Sequence, residues 1–165
     1  MNRISPLKTA NSSGHILTRL LIAVFIVVNL SAAQAQIITG ASRFEVYLQE
    51  LKGKKVAIVA NPTSIVNGTH LVDTLLALGV QIEVVFAPEH GFRGEAEAGE
   101  TVNSGVDVKT GVKVVSLYGS HKKPTNDDLK GVNQLVFDVQ DVGVRFYTYI
   151  STLQYVMEAC ASLEI

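Results

Sequence analysis

Tryptophan is absent from the 165 residues, and cysteine occurs once, as Cys160. One cysteine excludes an internal disulfide and any cysteine-based zinc cluster. Without tryptophan, stacking on a sugar ring falls to tyrosine or phenylalanine. An excess of positive charge is also missing: 14 Lys+Arg against 15 Asp+Glu give a net charge of −1, which argues against a nucleic-acid partner. There is no internal repeat, and 47% hydrophobic with 18% charged residues suits one globular domain. The Gly-x-x-x-x-Gly-Lys-Ser/Thr phosphate loop, a Gly-x-Gly-x-x-Gly after the first strand, the Gly-x-Ser-x-Gly elbow and His-Glu-x-x-His are all lacking. Nucleotide binding, serine hydrolysis and zincin chemistry therefore have no support.

The amino-terminal stretch is different in character. Arg3, Lys8 and Arg19 precede the apolar run Leu20–Leu30, and no acid occurs there. Ala33 and Ala35 then place small residues at −3 and −1 of a cut after Ala35. That order reads as a secretory signal peptide over residues 1–35 and implies a secreted or periplasmic product. The run is shorter than the roughly 20 residues of a bilayer span, so no stable membrane span is expected after cleavage. An uncleaved anchor is the alternative. Removal leaves 165 − 35 = 130 residues with 15 acids and 14 − 3 = 11 bases, a mildly acidic domain over 36–165.

In that domain the apolar pattern alternates between two periods. Phe44, Tyr47, Leu48 and Leu51 have helical spacing, as do Leu71, Val72, Leu75 and Leu76 within a helix expected over Thr69–Leu78. Lys54–Ala60, Gln81–Phe86, Val112–Leu117 and Gln134–Asp138 are short β-branched runs, as in strands buried on both faces. A short helix is expected from Pro124 to Lys130, and a last one from Arg145 to the end, with Cys160 as core filler. The order β-α-β predicts an α/β fold with a parallel sheet and right-handed crossovers.

Ligands of such sheets gather at the carboxyl ends of the strands, and polar groups are concentrated there. Asn61-Pro-Thr-Ser64 follows the first strand, and Pro88-Glu89-His90-Gly-Phe-Arg93-Gly94 the second. Tyr118-Gly-Ser-His121 follows the third, and Asp138-Val-Gln140-Asp141-Val-Gly-Val-Arg145-Phe-Tyr147 the fourth. Each has a bland reading too. Glu89 could cap a turn, His121 could be a solvated loop residue, and Asp138 and Asp141 could cap a helix or pair with Arg145. Tyr147, Tyr149 and Tyr155 could be core, and Glu95, Glu97 and Glu100 a solvated acidic loop.

Pro88–Gly94, Ala98-Gly-Glu100, Ser116-Leu-Tyr-Gly119, Lys123-Pro-Thr125 and Val136–Thr152, with Val56–Ser64 before them, resemble one family. It is the exo-β-N-acetylmuramidases of the NamZ type, a glycoside hydrolase family long catalogued as a domain of unknown function. The resemblance implies a Rossmann-like domain whose second, cleft-closing domain is absent here, the chain being a truncated N-terminal part of members two to three times as long. It implies exported enzymes of cell-wall turnover that release N-acetylmuramic acid from non-reducing ends of peptidoglycan fragments. The expected partners are muramyl saccharides, with no cofactor and no metal.

The resemblance makes Glu89 the leading catalytic candidate, and it places His90, Arg93, Asp138, Asp141 and Arg145 among cleft-lining motifs. Glycoside cleavage needs a proton donor and a second carboxylate. Glu89, in the apolar company of Phe86, Pro88 and Phe92, is the expected acid, with Asp138 or Asp141 as partner or as orienter of His90. Arg93 or Arg145 could hold the lactyl carboxylate. Asn61, His90, Tyr118 and Tyr147 complete the expected substrate contacts. The alternatives are a metal-dependent hydrolase using Glu89, His90, His121, Asp138 and Asp141, and a non-catalytic glycan-binding or degenerate remnant. The oligomeric state stays open.

Overall fold

The computed structural model describes residues 12–31, 37–94 and 103–165. It divides into two compact units, Met1–Ile38 and Thr39–Ile165. In the first, α1 (Ser12–Ser31) contains the apolar run. Among the described residues no helix is long and apolar enough to cross a membrane. The expected cut after Ala35 lies outside the described residues, as do Glu95, Glu97 and Glu100.

The second unit opens with a 3-10 turn, Gly40–Ser42, and α2 (Phe44–Leu51). There follow β1 (Lys55–Ala60), the two-residue strands β2 (Ile65–Val66) and β3 (Thr69–His70), α3 (Leu71–Ala77) and β4 (Gln81–Ala87). β5 (Gly105–Val106), β6 (Lys113–Ser116), β7 (Gln134–Asp138) and α4 (Tyr149–Leu163) complete it. The main sheet has the order β5-β6-β4-β1-β7. β1 pairs in parallel with β4 and β7, and β4 with β6, while β5 runs antiparallel to β6 at the edge.

Alternation along β1 builds two cores. Val56, Ile58 and Ala60 face Leu51 of α2 and Leu71, Val72 and Leu75 of α3. Ala57 and Val59 face the other way, onto Phe86, Val115, Leu129 and Val156 and Ala159 of α4. Both faces of β1 are dry, so its sequence is continuously apolar rather than alternating. Cys160 packs half-buried at the rim of the second core, where desolvation pushes its thiol up.

The local expectations fail in three places. The helix expected from Thr69 starts at Leu71, because Thr69 and His70 pair antiparallel with Val66 and Ile65. Asn67 and Gly68 between them both have positive φ, 51° and 80°. An Asn-Gly pair is the standard residue choice for such a two-residue hairpin. The short helix expected at Pro124–Lys130 is instead a run of turns pinned by Asp128, whose carboxylate accepts from the Thr125 backbone N–H and hydroxyl. Side-chain bonds of this kind offer the backbone an alternative to helical pairing. The last helix starts at Tyr149 rather than Arg145, since Gly143 is left-handed (φ 72°) and Tyr147 N–H closes a turn onto Val144 O.

Candidate active site at the carboxyl edge of the sheet

Strand register decides what meets at this edge. Val59 lies opposite Phe86, Ala60 opposite Asp138, and Ala87 opposite Ser116. Four strands therefore end level, and their exit loops start side by side. β1 stands between β4 and β7, so the loop carrying Glu89 and the end carrying Asp138 flank the Asn61 turn. At about 4.8 Å per strand their backbones leave the sheet roughly 10 Å apart.

The Asn61 turn is the buried centre. Asn61 Oδ1 accepts from Thr63 N (3.1 Å) and Thr63 Oγ1 (2.8 Å), and its amide nitrogen has no partner among the described residues. Its backbone N–H donates to Ser64 Oγ at 3.1 Å, and that hydroxyl donates to Asp138 O at 2.5 Å. Ser64 thus ties the end of β1 to the end of β7. His70, the N-cap of α3, accepts from Val72 N–H on Nδ1, so Nε2 carries the proton and donates to Asn61 O at 3.1 Å. Burial lowers the His70 pKa, which suits this neutral ring.

Asp138 sits half-buried above that turn. Desolvation raises its pKa, against smaller opposing effects of the Ser64 hydroxyl and of His70. Asp138 also lines a cavity of about 680 Å³ with Tyr47, Thr63, Ile65, Leu71 and Gln140. Tyr47 donates to Ala41 O (2.7 Å), and its phenol is pushed up to about 12 by burial and then by the charges of Asp138 and Glu45.

The Pro88–Gly94 loop doubles back sharply. Gly91 N–H donates to Pro88 O (3.0 Å), and His90, Gly91 and Gly94 have φ of 71°, 78° and 83°. His90 is half-buried in this left-handed conformation, uncommon outside glycine. Glu89 Oε2 accepts from Thr148 Oγ1 at 3.4 Å, at the N-cap of α4. Phe86 and Phe92 do not enclose Glu89 together, because they belong to cores on opposite faces of the sheet. The guanidinium of Arg93 is engaged by two carboxylates, Asp73 and Asp107, rather than open toward a ligand.

The segment after β7 is open to solvent from Gln140 to Thr148. Asp141 folds back to accept from Gly143 N–H (3.3 Å). Arg145 is exposed without a partner among the described residues, and Phe146 beside it is 91% exposed. Tyr147 packs its ring 6.0 Å from that of buried Tyr149. Half-buried Tyr118 follows β6, its backbone N–H donating to Ser116 Oγ. His121 Nε2 lies 3.0 Å from Asp128 Oδ2, against a structural turn. Among the described residues no three His, Cys, Asp or Glu gather as a metal-holding group.

His70, Asp73 and Asp107 were not legible as site residues in the sequence. Ser64 stands in the polar stretch after β1 and Thr148 within the Val136–Thr152 motif, without a sign of their partners; His70 left a signal in the Asn67-Gly68 hairpin that brings it back over the Asn61 turn.

Comparison with known proteins agrees with this architecture. The family model "Exo-beta-N-acetylmuramidase NamZ, N-terminal" matches residues 56–165. The peptidoglycan beta-N-acetylmuramidase NamZ of Bacillus subtilis (strain 168) is 49% identical over 117 residues, covering 68% of this chain and 28% of that protein. Two crystal structures of DUF1343 family proteins from Bacteroides fragilis are similar. One has a TM-score of 0.67 at 38% identity, covering 79% of this chain and 33% of its own. The other has a TM-score of 0.63 at 41% identity, covering 72% and 29%. This chain thus spans about a third or less of the length of these relatives. By its sequence and by its α/β sheet, the chain belongs to the exo-β-N-acetylmuramidase NamZ family and corresponds to the family's N-terminal region.

Proposed function

We propose that the chain carries the glycosidase chemistry of an exo-acting β-N-acetylmuramidase, releasing N-acetylmuramic acid from the non-reducing ends of peptidoglycan fragments. The observation that carries this reading is the pair of carboxyl groups, Glu89 and Asp138, leaving β4 and β7 on either side of β1. Cleavage requires one group to protonate the glycosidic oxygen and another to activate water, or attack, at the anomeric carbon. Burial favours the neutral form of Asp138, which suits it to deliver the proton. Glu89, steadied by Thr148, then serves as the carboxylate. This reverses the assignment expected from the motif alone. Of the two arginines expected to hold the lactyl carboxylate, Arg145 has no partner among the described residues, and Phe146 offers an open ring beside it. Asn61, His90, Tyr118 and Tyr147 border the same edge. The basic, apolar and small-residue order of residues 1–35 supports export to the periplasm or beyond.

The test is hydrolysis of a chromogenic aryl N-acetylmuramide by the purified chain. Release of the aryl alcohol is expected, and a Glu89→Gln chain is expected to lose about a hundredfold or more in kcat. A leaving group that needs no protonation restores Asp138→Asn but not Glu89→Gln; the opposite pattern exchanges the two roles. Binding of the sugar without turnover would make the chain a glycan-binding module. Near-normal turnover by Glu89→Gln would remove the mechanism.

A further inference from the structure

The side chain of Arg93 is only 18% exposed, and four of its N–H groups have partners. Nε and Nη2 reach the two oxygens of Asp107 at 2.8 and 2.7 Å, while Nη1 and Nη2 reach those of Asp73 at 3.2 and 2.7 Å. Both carboxylates are well shielded, at 11% and 6% exposure. Asp73 belongs to α3, and Asp107 follows β5 in the turn that leads to β6. Asp107 is itself fixed by the Thr110 hydroxyl and backbone N–H, and Lys109 adds a bond to Asp73 at 2.6 Å. Two cations thus balance two anions, and no charge is left over for a ligand.

The guanidinium also lies 4.4 Å over the ring of Phe92. Phe92 is buried and stands edge-on to His70, with ring centroids 4.6 Å apart. The far end of the Pro88–Gly94 loop is therefore fixed to α3, to the β5–β6 turn and, through His70, to the Asn61 turn. Its near end is fixed where Leu117 N–H donates to Ala87 O. Glu89 lies between these anchors, on a backbone whose left-handed residues must be held in place.

We propose that Arg93 is a positioning residue: forked onto Asp73 and Asp107 and laid on Phe92, it locks the Pro88–Gly94 loop and thereby fixes where Glu89 stands. The link to catalysis rests on the reading of Glu89 given above; the locking of the loop does not. A lysine keeps the charge but cannot make the planar fork.

The experiment compares the parent chain with Arg93→Lys, reading kinetics on aryl N-acetylmuramide and aryl N-acetylglucosaminide together with amide hydrogen exchange. Gly91 reports on the loop through its bond to Pro88 O, and Ile58 reports on the sheet. We expect kcat to fall about ten- to a hundredfold, with KM and the preference for the carboxylated sugar held within about twofold. Gly91 exchange should accelerate about tenfold or more while Ile58 stays protected. Asp73→Asn, which spares the Asp107 half of the fork, should give the same pattern in weaker form and serves if Arg93→Lys does not fold. A raised KM with loss of the preference would place the guanidinium on the substrate and overturn the proposal. Unchanged Gly91 exchange, or faster exchange with unchanged kcat, would overturn it too. A parent chain without hydrolytic activity would sink the functional reading, and the exchange data alone would then decide whether Arg93 locks the loop.

Discussion

Thr148 Oγ1 and Glu89 Oε2 stand 3.4 Å apart, though 59 positions separate them in the chain. The contact joins the exit of β4 to the start of α4 across the end of the sheet. Thr148→Val keeps the shape and removes the donor. We expect a three- to tenfold loss of kcat, about one hydrogen bond's worth, with Thr148→Ser near the parent. Equal rates in Thr148→Val and the parent would show that the contact does not steady Glu89.

Ser64 links the ends of β1 and β7 through its bonds to Asn61 N and Asp138 O. Ser64→Ala leaves the buried Asn61 N–H without its acceptor and the Asp138 carbonyl without its donor, and should destabilise the fold by about 1–3 kcal/mol. Urea denaturation with an unchanged m-value checks this. A midpoint equal to that of the parent would mean that the link contributes nothing.

His70 is held neutral chiefly by burial; its bond to Asn61 O opposes this, Arg93 nearby also disfavours its charge, and Asp73 and the Phe92 backbone favour it. Its folded pKa lies below the ordinary 6.5, so the unfolded chain binds the proton first. The corresponding stability is present above that value and is lost as pH falls toward the lowered folded pKa. His70→Asn can still cap α3 but cannot titrate. Its melting temperature should be lower than the parent's near neutral pH and fall less on acidification through this window. Parallel curves for the two proteins would refute the assignment.

Asp138 has the opposite sign. Burial raises its folded pKa above the ordinary 3.8, so the folded state retains the proton longer than the unfolded chain. Stability from this group is present below 3.8 and is lost as pH rises through the raised value. Asp138→Asn, neutral throughout, should therefore melt higher than the parent at neutral pH, with the gap narrowing in acid, while hydrolysis of substrates with poor leaving groups falls. A variant that melts lower at neutral pH would mean that the carboxylate is stabilised where it stands.

Much of the architecture is written locally. β-branched runs such as Val56–Ala60 read as strands dry on both faces, as they are, and the spacing of Leu71, Val72 and Leu75 fits one helix face. The Asn67-Gly68 pair stands just before the helix expected from Thr69, and its hairpin takes Thr69 and His70 out of that helix. Pro124–Lys130 carries helix signals, but the Thr125 and Asp128 side chains hold its backbone in turns instead.

The alternation of strands and helices, the polar strand ends and the family motifs are readable residue by residue, because backbone preference and apolar period act between near neighbours. The fate of the charges at the described sheet edge is set by packing. Arg93 meets Asp73 and Asp107, which lie 20 and 14 positions away, and so acts as a clamp. Asp138 is desolvated, whereas Asp141, three positions on, lies in solvent. Ion pairing and desolvation depend on distance and burial in space, which are set only when separate elements pack together.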